Sequence, residues 1–173
     1  VLFRSVRLHT GNFGYFSELA ENGKDLRAMK DDKTPLKFQI EKFDAVNEMA
    51  LVWVKYPALQ AASSSDELHL YYGNDDAPPP DGGAGTFNDD FSVVYHFDDQ
   101  KPMLQDSTAY ENNGEGAAVV ADPAGWIGTA AKFQGTGALE IKPNPSLALD
   151  PAKGYTFTAW IKPDQSQGQS TLF

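Results

Sequence analysis

The sequence predicts an all-β chain of two antiparallel β-sandwich modules, jelly-roll-like, of which the second is incomplete. Three observations carry that reading. Apolar residues recur at every second position in most patterned stretches, turn signals separate those stretches at short intervals, and one Pro/Gly-rich segment divides the chain.

The elements follow in order. "VLFRSV" opens inside a strand, with Val6 and Leu8 on one side and Arg7 and His9 on the other. Leu2 to Ser5, "LFRS", reads as a translated sequencing adapter, and a longer clone with other residues there would confirm it. "YFSELAENG" is the one helical candidate, a single turn capped by Ser17 and ended by Gly23. "LKFQIE" sets Leu36, Phe38 and Ile40 against Lys37, Gln39 and Glu41, the pattern of a half-buried strand. "MALVWVKYP" is apolar on both faces up to Lys55, as a central strand is, and Pro57 stops it because proline cannot donate to a ladder. "ELHLYYGN" alternates again and closes the first module.

The stretch "APPPDGGAGTFN" combines consecutive prolines with glycines, which by composition is a linker. The expected organisation is therefore a β-sandwich module over residues 1–76, a linker over 77–88, and the N-terminal part of a second sandwich over 89–173. In the second module the expected strands are "SVVYHF", "AAKFQG", "ALEIKP" and "YTFTAWIKP", with "QDSTAYENNGEG", "QGTG" and "PNPS" as turns. "STLF" reads as the start of a further strand, so the whole reads as a fragment. Half a sandwich leaves an apolar face and an edge uncovered, and self-association is the expected consequence.

Composition excludes several functions. With 41% hydrophobic and 12% aromatic residues the chain has material for a packed core. The net charge of −10 is spread over both halves without a Lys/Arg cluster, so nucleic acid is not an expected partner. Cysteine is absent, which removes disulfides, thiol nucleophiles and thiolate metal sites while leaving the compartment open. "MALVWV" is about the longest apolar run, far short of the roughly 20 residues that span a bilayer. No basic segment followed by an apolar region opens the chain as a signal peptide would.

The first module resembles the bacterial domain of unknown function 2341, through "NGKDLRAMKDD", "LKFQIEKFD", "ALVWVKYPAL" and "LHLYYGNDDA" in that order. Ala28 departs from the aromatic residue usual after "DLR". The second is similar to concanavalin A-like lectin/glucanase sandwiches of the laminin-G-like type, through "VVYHFDD", "QDSTAYENNGEG", "GWIGTAAKFQGTGALEI", "PSLAL" and "YTFTAWIKPD". Together they imply part of a larger bacterial envelope protein, periplasmic or at the cell surface, that in some cases continues into a MotA/TolQ/ExbB-type proton channel segment. The implied role is a non-catalytic module contacting envelope proteins or glycans. The alternatives are a calcium-dependent carbohydrate-binding domain and a glycoside hydrolase whose catalytic strand lies outside this sequence.

Retaining glucanase chemistry needs two carboxylates about 5 Å apart on one strand, and Glu140 stands alone in "ALEIKP". The chain is not expected to be an enzyme. His9, His69 and His96 share no motif and read as structural, and neither a nucleophile elbow nor a phosphate loop is present. Calcium is the one plausible cofactor. The laminin-G-like resemblance places it near hard oxygens from Asp106, Asn112 and Asn113, with Asp98 or Asp99 close in sequence; the competing reading is an Asx turn at Asp106 and a tight turn at Asn113-Gly114. For stacking on sugars the candidates are Tyr110, Trp126 and Trp160.

Overall fold

The structure is a computed structural model that describes residues 2–31, 33–80, 83, 85–87, 90–97 and 102–163. Its described residues form seven strands and three short 3-10 turns, with no α-helix. Every strand pairing is antiparallel.

Strand β1 (Leu2–His9), β3 (Phe38–Asp44) and β4 (Met49–Tyr56) form one sheet in the order β1-β4-β3. The doubly apolar "MALVWVKY" is thus the central strand. It buries Ala50, Val52, Val54 and Tyr56 on one face and half-buries Met49, Leu51, Trp53 and Lys55 on the other. Strands β2 (Arg27–Met29) and β5 (His69–Tyr71) make a second, two-stranded sheet. Ala28 and Leu70 from that sheet meet Phe38, Val52 and Val54 from the first, and Leu26, Leu36 and Tyr56 complete this core. Alternation drives the arrangement, since successive side chains point to opposite faces and every second one reaches this core. A smaller cluster of Leu8, Phe16 and Ala50 closes one end. The Ala28 side chain is fully inside, so the missing aromatic is replaced by close packing.

Between them, the expected helical turn is two 3-10 turns, Phe16–Glu18 and Glu21–Gly23. Ser17 lies inside the first of these and caps nothing; Tyr15 precedes the turn and makes no side-chain cap bond. The buried Asp25 carboxylate organises this region instead, accepting from Ala20 N at 3.0 Å and Gly73 N at 2.7 Å.

Strands β6 (Gly114–Gly125) and β7 (Gly128–Ile141) form a long hairpin. Its two-residue connection, Trp126-Ile127, is followed by Gly128 at φ 82°, a conformation glycine adopts at no steric cost. The pairing shifts register between Ala117 and Val119 and between Asp122 and Gly125, and Pro123 falls in the second irregularity, where its missing N–H is tolerated. β7 joins the two strands expected at 130–135 and 138–143 into one, and β6 has no counterpart among the expected strands.

Two expected strands are corrected. Residues 92–97 and 155–163 belong to no ladder. Alternation gives a segment the capacity to pair, but a ladder also needs a neighbouring strand with free N–H and C=O groups, and none of the described strands supplies one there. "STLF" lies outside the described residues.

Of the segment read as a linker, Gly83 and residues 85–87 lie against the first sheet. Thr86 and Phe87 are buried, the Phe87 ring is 6.5 Å from Trp53, and Lys55 Nζ donates to Gly85 O at 2.9 Å. The same cover continues through His96 and Ser107, so the face of β3–β4 turned away from the core is itself overlaid.

Candidate functional site

Asp106, Asn112 and Asn113 do come together, in the loop before β6. The Asp106 carboxylate is buried and filled. Oδ1 accepts from Val94 N at 2.8 Å and Thr108 N at 3.0 Å, and Oδ2 from Thr108 Oγ1 at 2.5 Å and Asn112 N at 3.0 Å. Asn113 Oδ1 accepts from Asp106 N at 2.9 Å. Asn112 Nδ2 donates to Ser92 O at 2.6 Å and Ser146 Oγ at 2.9 Å. A carboxylate offers about four lone-pair sites, and here all four face N–H or O–H donors. This is the chemistry of an Asx-type loop clamp, with the bond from Thr108 N as its local turn. Among the described residues no group of three or more His, Asp or Glu converges as a metal site. Asp98 and Asp99 lie outside the described residues.

Beside this loop, the Tyr95 hydroxyl donates to Asn112 O. Burial, and after it the nearby Asp106 charge, pushes the Tyr95 phenol up to about 12. Tyr110 lies half-buried in the same loop, its N–H directed at Thr108 Oγ1 at 3.2 Å.

Trp126 and Trp160 are brought together. Their rings stack at 5.6 Å between centroids with only 6° between planes, although 83% of Trp126 and 79% of Trp160 is exposed. Trp126 stands at the hairpin tip, and Trp160 arrives from the exposed 155–163 stretch. Tyr155, Phe157 and Ile161 of that stretch are also exposed.

A third cluster was not visible in the sequence. Glu41 is the extra residue of a bulge, since Ile40 pairs with Val52 and Lys42 with Leu51. Its carboxylate accepts from Trp53 Nε1 at 2.6 Å and contacts His96 Nδ1 at 3.0 Å. The two side chains are largely buried, 12% of Glu41 and 7% of His96 being exposed. Burial pushes the Glu41 carboxyl up, but the hydrogen bond and charge of His96 with the Trp53 N–H outweigh it and hold the group below the ordinary glutamate range. Glu41 and His96 stand far apart in sequence, and no local spacing announces a bulge. The one available signal was the polar face Lys37, Gln39, Glu41, which reads as solvated.

A family model, that of a domain of unknown function (DUF2341), matches residues 22–113, more than half of the chain. The chain belongs to the DUF2341 family. The match runs unbroken through the Pro/Gly stretch, so Glu41, His96 and the Asp106 loop all fall inside the DUF2341 region, whereas Trp126 and Trp160 lie beyond it. No curated protein and no solved structure matches the chain.

Proposed function

We propose that this DUF2341 chain is a non-catalytic binding module of a larger bacterial envelope protein, and that it makes its contacts through an exposed aromatic surface. The observation that carries the reading is the Trp126–Trp160 stack. Two large, parallel indoles held in water are costly to leave bare, and exposed aromatics are the side chains that dominate contact energies. Each indole keeps one face free for a partner.

A glycan is the second reading, because flat aromatic faces in solvent suit the apolar face of a pyranose ring. On this reading binding needs no calcium, the Asp106 oxygens being occupied by protein donors. Placement in the envelope, and any tie to a MotA/TolQ/ExbB-type channel, is supported by the sequence resemblance alone. Fractionating cells that express the complete gene tests the placement. A glycan array, paired with affinity capture from envelope extracts, tests the binding. Partners retained by the native chain and lost by both Trp126→Ala and Trp160→Ala support the reading; partners retained equally by all three chains overturn it.

A further inference from the structure

We propose that residues 83, 85–87 and 90–97 act as a strap on the outer face of the β3–β4 sheet, clasped by Glu41 and His96 and released by acid, so that Trp53 becomes uncovered while the sheet persists. The first support is geometric. The described residues of the segment meet the sheet at four points: Gly83 against Gln39, Gly85 O on Lys55 Nζ, Phe87 against Trp53, and His96 on Glu41. Ser107 Oγ, accepting from Gln39 Nε2 at 3.0 Å, extends the cover. Gly83 sits at φ 93°, and a Cβ there would lie 2.1 Å from Gln39 Oε1, so only glycine lets the strap come this close.

The second support is that this contact is poorly satisfied. Buried side-chain polar atoms without a protein partner are Gln39 Oε1, Thr86 Oγ1, His96 Nε2 and Asn112 Oδ1 among the described residues. The first three lie in the strap or on the sheet residues beneath it. An atom of this kind that water does not reach either costs on the order of 1–3 kcal/mol. Gln39 is only 2% exposed, although its alternation partner residues lie in the core on the other face. The core of Phe38, Val52 and Val54 carries no such defect. The strap is therefore the weaker of the two layers on this sheet and opens first.

The clasp is a buried contact between a carboxylate and an imidazole, and the cost of taking the carboxylate out of water is offset by its hydrogen bonds as long as the partners stay in place. His96 donates from Nδ1 both as the imidazolium and as the neutral Nδ1–H tautomer, so the bond survives either state of the ring. Protonation of Glu41 weakens it, because each carboxylate oxygen faces one donor, and a proton on either oxygen sets an O–H against a donor and leaves the other oxygen a neutral, weaker acceptor. The Glu41 carboxyl is held low in the folded chain, so its contribution is fully present above the ordinary glutamate value of about 4.3 and is lost as pH falls through the folded value. Among the described residues the charged group in contact with the Glu41 carboxylate is His96; Lys42 follows it in β3, and Lys55 is turned to Gly85 O.

The test follows the Trp53 indole N–H and the Val52 and Val54 amides by NMR from pH 7 to pH 3, with the Trp53 signal assigned through Trp53→Phe. The expected result is a protected Trp53 indole at neutral pH that becomes solvent-exchanging below about pH 4.3, while the Val52 and Val54 amides stay protected. Glu41→Gln keeps an acceptor but cannot titrate, so its Trp53 signal stays in one state across the range. Gly83→Ala, which displaces the strap without touching the core, shows the exchanging signal already at pH 7. The proposal is overturned if the Trp53 indole of the native chain stays protected down to pH 3. It is equally overturned if Glu41→Gln shows the same transition, or if Val52 and Val54 lose protection together with Trp53.

Discussion

Replacing Asp106 by alanine removes the one group that ties residues 94, 108 and 112 together. Four hydrogen bonds to a carboxylate are lost, at 2.5–3.0 Å. Bonds to a charged acceptor are worth about 1.5–3 kcal/mol each, which would give roughly 6–12 kcal/mol if they were independent. They are not independent, because they share one acceptor and the freed N–H groups regain water once the loop relaxes. The expected loss is therefore about 3–5 kcal/mol, at the high end for a single substitution. Asp106→Asn keeps one oxygen for Val94 N and Thr108 N but sets an NH2 against Asn112 N, for an expected loss of about 1–3 kcal/mol. Urea denaturation of both variants, at matched m-value, measures these losses. It is run in EGTA and again in millimolar calcium, because a filled carboxylate predicts the same midpoint in both for the native chain. A loss below 1 kcal/mol for Asp106→Ala, or a native midpoint that rises with calcium, would refute the reasoning.

Val54→Ala empties a fully buried position between the two sheets and should cost about 2–3 kcal/mol in the same assay, two methyl groups plus part of a cavity. Trp126→Ala gives up the stack on Trp160 and should cost no more than about 1 kcal/mol, small beside a core substitution, which separates its effect on binding from any effect on folding. The Tyr95 phenol is raised in the folded chain, so its contribution is complete below the unfolded value of about 10 and is lost as pH rises toward about 12; alkaline denaturation of Tyr95→Phe should therefore be shallower over that interval than that of the native chain.

The first sheet was legible because its pattern and its burial coincide. "MALVWVKY" carries apolar residues on both faces and is central, and "FQIEKF" begins on the predicted face. Pro57 marks the end of β4 for a local reason, the missing donor. The 155–163 stretch has as clear an alternation as any of these, yet forms no ladder, because pairing depends on a neighbour that no single segment encodes. β6 was missed for the opposite reason: "GEGAAVVADPAG" is rich in small residues, contains proline, and alternates poorly, but pairs along most of its length with β7.

The candidate site was legible in part. Asp106, Asn112 and Asn113 were expected to converge and do, though through hydrogen bonds within the loop. Trp126 and Trp160 read from the sequence as separate candidates for stacking on sugars and are stacked on one another, a contact across 34 positions that composition cannot show. Glu41 and His96 were hidden for two reasons. The face of Lys37, Gln39 and Glu41 reads as solvated although it is covered, and the Pro/Gly stretch read as a separation carries residues that pack on the sheet.

The binding surface is the claim on which the functional account stands, and the three indole N–H signals of this chain report on it directly. Titration at pH 7 with a soluble envelope glycan, or with a partner recovered by affinity capture, should shift or broaden the Trp126 and Trp160 signals and leave Trp53, bonded to Glu41 beneath the strap, in place. A bound ligand that moves Trp53 alone, or that leaves both exposed indoles unmoved, would contradict it.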